Sequence, residues 1–471
     1  MCSFEGLSST SRLMCYYNSK AADRPAMGKF RVSDIDPDKC THLIFGFSDI
    51  IENELVPTTV NDVQQYFGFN ALKQRNPLLK TLLAVGGEKF GTEKEVFIQS
   101  VIRLLRAFNF DGLDVDWRYP AEEDKQRFTE LCKELETAFV DEGTSSNQER
   151  LILAASVSAE RSTIDAGYEV EEIAMHLDFI NVLTFDFHGP WESVTAHHSP
   201  LFQGSQDTGD AIYSNTASAL EYWRDQGAPE EKLNMGLGAF GRAFSLSSNS
   251  SAVGAPASGP GEEGCYTGEE GFWASYETCL YLDGVQNHFI SDQKVPYATT
   301  ENQWVGFDDT TSINTKINYL KANKFGGAFV WSLDLDDFRG EFCNQGSAHS
   351  LPNSAPTTTT AAPTTTTAAP TTTAAPQQPQ LPHYNPQLPQ LQPQLPLQQP
   401  QLPQLQPQLP LQQPQLPHNN HSCPTTTTAA PTTTTAAPTT TTAAPTQPQL
   451  PQHNHSCPYN NHSCPNYNHS C

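Results

Sequence analysis

The chain predicts an α/β fold: a (β/α)8 TIM barrel with an inserted small α+β subdomain, followed by a disordered Pro/Thr-rich tail. Three observations carry this expectation. Eight short apolar runs alternate with helix-periodic segments, the stretch 242–311 is too long for an ordinary loop, and the sequence changes character near Ser350. The runs at 13–17, 41–47, 80–85, 112–117, 151–157, 179–185, 233–237 and 326–332 are rich in β-branched or aromatic residues and often end in Gly, Asp or Ser. Between them, 96–108 sets Phe97, Val101, Leu104, Leu105 and Phe108 on one helical stripe, and 122–140 is a second helical pattern. Strands alternating with helices over this length form a parallel sheet, and eight such units suit a barrel. The Gly-, Ser- and aromatic-rich stretch 242–311 reads as a subdomain inserted before the last strand. The barrel is therefore expected over 12–349 and the tail over 350–471.

The tail cannot build a core. TTTTAAP blocks begin at Thr357 and Thr425, and PQLPQLQPQLPLQQ at 386–399 recurs unchanged at 400–413. Such uncharged sequence is extended, and its Thr tracts read as a mucin-like glycosylated stalk. It closes in Asn-His-Ser-Cys units ending at Cys423, Cys457, Cys464 and Cys471. These imply a spacer with interchain disulfides and hence disulfide-linked multimers; zinc binding by the His-x-Cys pairs is the lesser reading.

Every Asp, Glu, Lys and Arg lies at or before Glu341, so the net charge of −25 belongs to the first part. An acidic surface argues against nucleic acid and anionic lipid as partners and suits a neutral polysaccharide. No apolar run is long enough to span a membrane. The start, MCSFEG, shows no signal peptide. Eleven cysteines and the sequons at Asn249, Asn420, Asn454, Asn461 and Asn468 nevertheless point to a secreted, extracellular glycoprotein whose true start lies upstream.

The segment FDGLDVDWRYP at 110–120 carries the chemistry. Asp114, Asp116 and Arg118 are spaced by two, which on a strand turns all three to one side. Three ionisable groups beside Leu113, Val115 and Trp117 are costly to bury without a purpose. This segment resembles the signature of glycoside hydrolase family 18, the chitinases and chitinase-like lectins, and its animal chitinase branch most of all. CYY at 15–17, DIDPDKCTHLIFGF at 34–47, LLAVGG at 82–87, NVLTFDFHG at 181–189, MGLGAFGR at 235–242 and GAFVWSLD at 327–334 resemble further family motifs, in the family's order.

The resemblance implies substrate-assisted hydrolysis of β-1,4-linked N-acetylglucosamine. In that chemistry a Glu protonates the glycosidic oxygen and the sugar's own acetamido carbonyl attacks, a departure from the two-carboxylate scheme. Arg118 stands at that Glu, and Phe185 stands at a sixth-strand Tyr that would hydrogen-bond the carbonyl. Phe240 replaces another Tyr, and Glu88 and Lys20 replace stacking Trp residues. Asp114, Asp116, Tyr119, Asp186, Trp191, Arg242 and Trp331 are kept. The implied sugar-binding set is Gly86, Gly87, Glu88, Tyr119, Leu183, Thr184, Trp191, Arg242 and Trp331. The implied disulfides are Cys15 with Cys40 and Cys279 with Cys343, leaving Cys2, Cys132 and Cys265 without an evident partner. No metal or cofactor is implied.

A guanidinium cannot act as a general acid near neutral pH. Arg118 is expected instead to neutralise Asp116 and Asp186. The leading expectation is a chitinase-like protein without hydrolytic activity that binds chitin or N-acetylglucosamine oligomers weakly in the barrel mouth. The alternatives are an active endo-chitinase using a displaced acid, with Glu88, Glu122 and Glu123 as candidates, and a structural mucin-like adhesion protein.

Overall fold

The computed structural model describes residues 11–86 and 94–343. Gly87, Glu88, Cys2, the 350–471 tail, its sequons and its four terminal cysteines lie outside the described residues.

Eight parallel strands close the barrel: β1 (Arg12–Asn18), β2 (His42–Ile51), β4 (Lys80–Gly86), β5 (Gly112–Asp116), β6 (Ile152–Val157), β7 (Phe179–Val182), β8 (Leu233–Gly238) and β15 (Gly327–Trp331). β1 pairs with both β15 and β2, which completes the ring. A short β3 (Glu54–Pro57) turns back antiparallel on β2. The strand alternation is legible in the packing. On β1, Leu13, Cys15 and Tyr17 face the helices, while Met14 and Tyr16 join Ile44, Leu82, Ala84, Phe329 and Trp331 in the barrel interior.

The helices are α1 (Val60–Ala71), α2 (Lys94–Phe108), α3 (Lys125–Ser146), α4 (Arg161–Gly167), α5 (Val170–His176), α6 (Thr216–Asp225), α7 (Ser275–Tyr281) and α8 (Thr310–Ala322). Their ends follow local chemistry. Thr59 caps α1 through a reciprocal pair with Asp62, and Asp309 caps α8 by accepting from Ser312 N at 2.8 Å. Asn147 ends α3 in the left-handed region, φ 54°. The stripe expected on α2 is realised, with Val101 and Leu105 fully buried. The second helical pattern runs on to Ser146, through a polar last turn that packs only Gly143 inward, until Asn147 turns the chain.

Between β8 and β15 lies a second, antiparallel sheet of β9 (Phe240–Leu246), β10 (Ala257–Pro260), β11 (Phe272–Ala274), β12 (Asn287–Ile290), β13 (Val295–Thr300) and β14 (Gln303–Gly306). It begins only two residues after β8. The sixth barrel strand stops at Val182, short of the expected 185. There the Thr184 hydroxyl bonds to the backbone of Gly236 in both directions, at 2.9 and 2.8 Å, and Asp186 turns to φ 60°. Cys15–Cys40 and Cys279–Cys343 are disulfides. Cys132 is fully buried with a free thiol, as a small apolar filler would be, and the free Cys265 is partly exposed. Among the described residues no helix is long and apolar enough to cross a membrane, and no group of His, Cys, Asp and Glu could hold a metal ion.

Candidate functional site

The carboxyl ends of parallel barrel strands open into one mouth, where such folds place their functional groups. β5 delivers Asp114 and Asp116 inward, and both are buried. Asp114 sits in a polar network that crosses the barrel interior. Its Oδ2 accepts from Tyr16 OH at 2.7 Å and from Ser156 Oγ at 3.1 Å, and the two hydroxyls lie 2.6 Å apart. Asn181 Nδ2 reaches Tyr16 OH at 3.3 Å and Asp114 Oδ1 at 3.5 Å. Asn234 Nδ2 donates to Asn181 Oδ1 at 3.0 Å, and Arg12 Nε donates to Asn234 Oδ1 at 3.3 Å.

Burial, with the adjacent Asp116 charge, raises the Asp114 carboxyl to about 7; hydrogen bonds from Tyr16 and Ser156 and the Arg118 charge only partly oppose this. A carboxyl that holds its proton in the fold and loses it near pH 4 when unfolded destabilises the fold progressively as pH rises between those values. Asp114→Asn keeps the shape without the titration. Its unfolding free energy should gain on wild type by up to about 1.4 kcal/mol per pH unit from pH 4 to 7, and then level off. Urea unfolding of both proteins at stepped pH measures this; a constant difference would refute it.

Arg118 lies just past β5 and turns back to grip Asp116 with two hydrogen bonds, Nε to Oδ1 at 2.7 Å and an NH2 group to Oδ2 at 2.8 Å. This fork-on-carboxylate geometry is the strong form of the ion pair. Asp186 has a different partner from the one expected: Arg242 holds it by Nε–Oδ1 at 2.8 Å and NH2–Oδ2 at 2.9 Å, and also reaches Glu269 at 3.4 Å. The reason is topological. The left-handed turn at Asp186 aims its carboxylate at β9, where Arg242 lies among Phe240, Phe272 and Trp191, its guanidinium 4.9 to 5.6 Å from each ring. Beside them His198 is completely buried, with Nδ1 3.8 Å from Asp186 Oδ1, and burial pushes its imidazole well below the usual range and keeps it neutral.

Aromatic side chains form the walls. Trp331, at the end of β15, packs on Tyr16 at 5.1 Å and stacks on Phe47 at 5.8 Å, and the Arg118 guanidinium sits over its ring at 5.2 Å. Phe185 is buried against Phe240 and Phe329, so this corner presents phenyl rings. Gly236 makes room for it: a Cβ there would come within 2.9 Å of Phe185 and 2.8 Å of Phe329. Trp191 and Tyr119 are the open aromatics, and the Trp191 ring lies over Gly189.

The structure therefore brings Asp114, Asp116, Arg118, Trp331 and, one strand system away, Phe185, Asp186, Arg242 and Trp191 to the same end of the barrel. Gly86 packs closely on the Asp116 backbone and Phe47. Leu183 is buried and Thr184 is fully buried with its hydroxyl bonded to Gly236, so Thr184 holds strands together and presents no side-chain group to the mouth. Glu122 and Glu123 are exposed on the short helical turn before α3. Sequence reasoning missed Tyr16, Ser156, Asn181 and Asn234. Their signal was present: each is a hydrogen-bonding residue at an inward position of an apolar strand, where polarity requires a partner.

A parallel eight-stranded barrel with inward carboxylates under aromatic walls, and an antiparallel insertion before the last strand, defines a chitinase-like barrel. The chain belongs to glycosyl hydrolases family 18, which its residues 12–336 match. It is 46% identical over 351 residues to chitinase-3-like protein 2 of Homo sapiens, spanning 72% of this chain and 90% of that protein. It is 45% identical over 355 residues to chitotriosidase-1 of Mus musculus, spanning 72% and 76%. Among solved structures it is similar to human YKL-39, described as a pseudo-chitinase with retained chitooligosaccharide binding properties (TM-score 0.69, 46% identity, 71% of this chain and 96% of that one). It is also similar to Ostrinia furnacalis Group IV chitinase in complex with allosamidin (TM-score 0.67, 36% identity, 72% and 96%).

Proposed function

We propose that the barrel is a secreted, non-hydrolysing receptor that binds chitin oligomers weakly in its mouth. Relatives include hydrolases as well as a pseudo-chitinase, so family membership alone does not choose between them. The observation that carries the reading is the two-point grip of Arg118 on Asp116. Hydrolysis in this family asks the group at position 118 to deliver a proton and Asp116 to orient the sugar's acetamido group. A guanidinium holds its protons at any physiological pH, and a carboxylate with both oxygens engaged by it has lost its freedom to turn. Proton transfer by a positioned acid contributes about 10²–10⁴ in rate, and three carboxylic acids that could be asked to replace it are badly placed for the task. Asp114 carries a raised pKa but lies beneath Tyr16 with no exposed surface, while Glu122 and Glu123 face solvent.

Binding is supported by the open rings of Trp191 and Tyr119, 50% and 41% exposed, on which apolar sugar faces stack. The phenyl corner at Phe185 and Phe240 offers no hydroxyl to an N-acetyl carbonyl, which keeps the affinity low. Secretion is supported by the two disulfides, which persist in an oxidising compartment. The test pairs a reducing-end assay with calorimetry on a chitin hexasaccharide. The expected result is heat of binding without shortening of the oligomer. Turnover by the purified wild-type protein would overturn the inactivity, and absence of any binding heat would overturn the receptor.

A further inference from the structure

We propose that Arg118 decides where a saccharide sits in this mouth: its guanidinium occupies the face of Trp331, so an oligomer rests on the rim rings Trp191 and Tyr119 and does not reach the barrel floor. This rests on the saccharide-binding reading above and makes it specific.

Three contacts carry it. The Arg118 guanidinium lies over the Trp331 ring at 5.2 Å, within the range where a cation is attracted to an aromatic face. Phe47 and Tyr16 pack on the same indole, and together these neighbours leave Trp331 only 6% exposed. A pyranose needs a ring face of its own size to stack on, and this one is already covered. The cover is also anchored. Moving Arg118 off the indole breaks two charge-assisted hydrogen bonds to Asp116, which is 1% exposed and stands two residues from the buried Asp114. An uncompensated buried carboxylate costs more than one sugar–ring stack returns. A neutral sugar, which brings no charge to replace the guanidinium, therefore leaves Arg118 in place. Trp191 has the Arg242 guanidinium 5.6 Å from its ring centre yet stays half exposed, and Tyr119 is two-fifths exposed, so both keep ring surface open to a sugar.

The measurement is calorimetry with chitin oligosaccharides from dimer to hexamer, on wild type, Arg118→Ala, Trp331→Leu and the double variant of the full chain. Trp331→Leu keeps an apolar filler but removes the flat face. Wild type and Trp331→Leu should bind alike, within about twofold. Arg118→Ala should bind the hexamer about tenfold or more tighter, the size of effect one added stack provides. Its affinity should keep rising with chain length beyond the point where wild type levels off, and the double variant should lose that gain. A Trp331→Leu variant that weakens wild-type binding tenfold, or an Arg118→Ala variant with unchanged affinity and length dependence, overturns the proposal while the receptor reading stands. Absence of binding by both wild type and Arg118→Ala overturns both. If Trp331→Leu does not fold, the length dependence of Arg118→Ala against wild type decides.

Discussion

Lys316→Met should destabilise the protein by about 3–5 kcal/mol, the cost of removing one partner from a fully buried ion pair. Lys316 Nζ lies 2.7 Å from Asp308 Oδ2, with neither side chain meaningfully exposed, and it donates to the Ser199 carbonyl and hydroxyl at 2.7 Å each. Its loss leaves the Asp308 charge without its counter-ion and removes two hydrogen bonds from Ser199, which closes the segment that carries Asp186 and Trp191. Burial alone would raise the Asp308 carboxyl, but the charges of Lys316 and His197 outweigh it and hold it below the ordinary value. That depression stabilises the fold above about pH 4, and the contribution is lost as pH falls through the lowered value. Lys316→Met should remove it and so flatten this part of the acid limb. Replacing both partners, as Lys316→Met with Asp308→Leu, should recover most of the loss, because two apolar groups require no desolvation of charge. Denaturant unfolding at neutral pH checks both; a Lys316→Met variant within about 1 kcal/mol of wild type would exclude the buried-pair account.

The second large effect concerns chemistry. Arg118→Glu alone should leave turnover of a chitin oligomer far below that of the double variant Arg118→Glu with Phe185→Tyr, by a factor of about 10²–10³, the typical contribution of one hydrogen-bond donor aimed at a developing charge. Glu at 118 restores a proton source and frees Asp116 from the guanidinium. Only a hydroxyl at 185 restores the donor that the phenyl corner of Phe185, Phe240 and Phe329 lacks. Initial rates on a chromogenic chitin trisaccharide measure the difference. Equal rates for the single and double variants would show that Phe185 has no bearing on the reaction.

Much of this was readable in the residues. The eight barrel strands and the insertion follow from apolar periodicity and from motifs in a recognisable order, and the family resemblance implied both disulfide pairs found among the described residues. The ion pair of Arg118 with Asp116 was readable too, because two residues two positions apart at a strand end are neighbours in almost any fold. The partner of Asp186 was not. Arg242 is 56 positions away and reaches it only because a left-handed turn ends β7 early and the insertion starts immediately after β8. The pairing of Arg12 through Asn234, Asn181 and Tyr16 to Asp114 was likewise invisible, since these members lie on three different strands, β1, β8 and β7, before the chain of bonds reaches β5.

The order of residues by itself determined the elements, the family and the absence of a dissociable acid at position 118, because these depend on local spacing and on the intrinsic chemistry of single side chains. Closure of the barrel alone decided that Arg242 neutralises Asp186, that the Asp114 carboxyl is raised to about 7, and that the Trp331 face lies under a guanidinium. Such properties depend on distance, burial and exclusion of water between residues far apart in the chain, and these exist only once the strands have met.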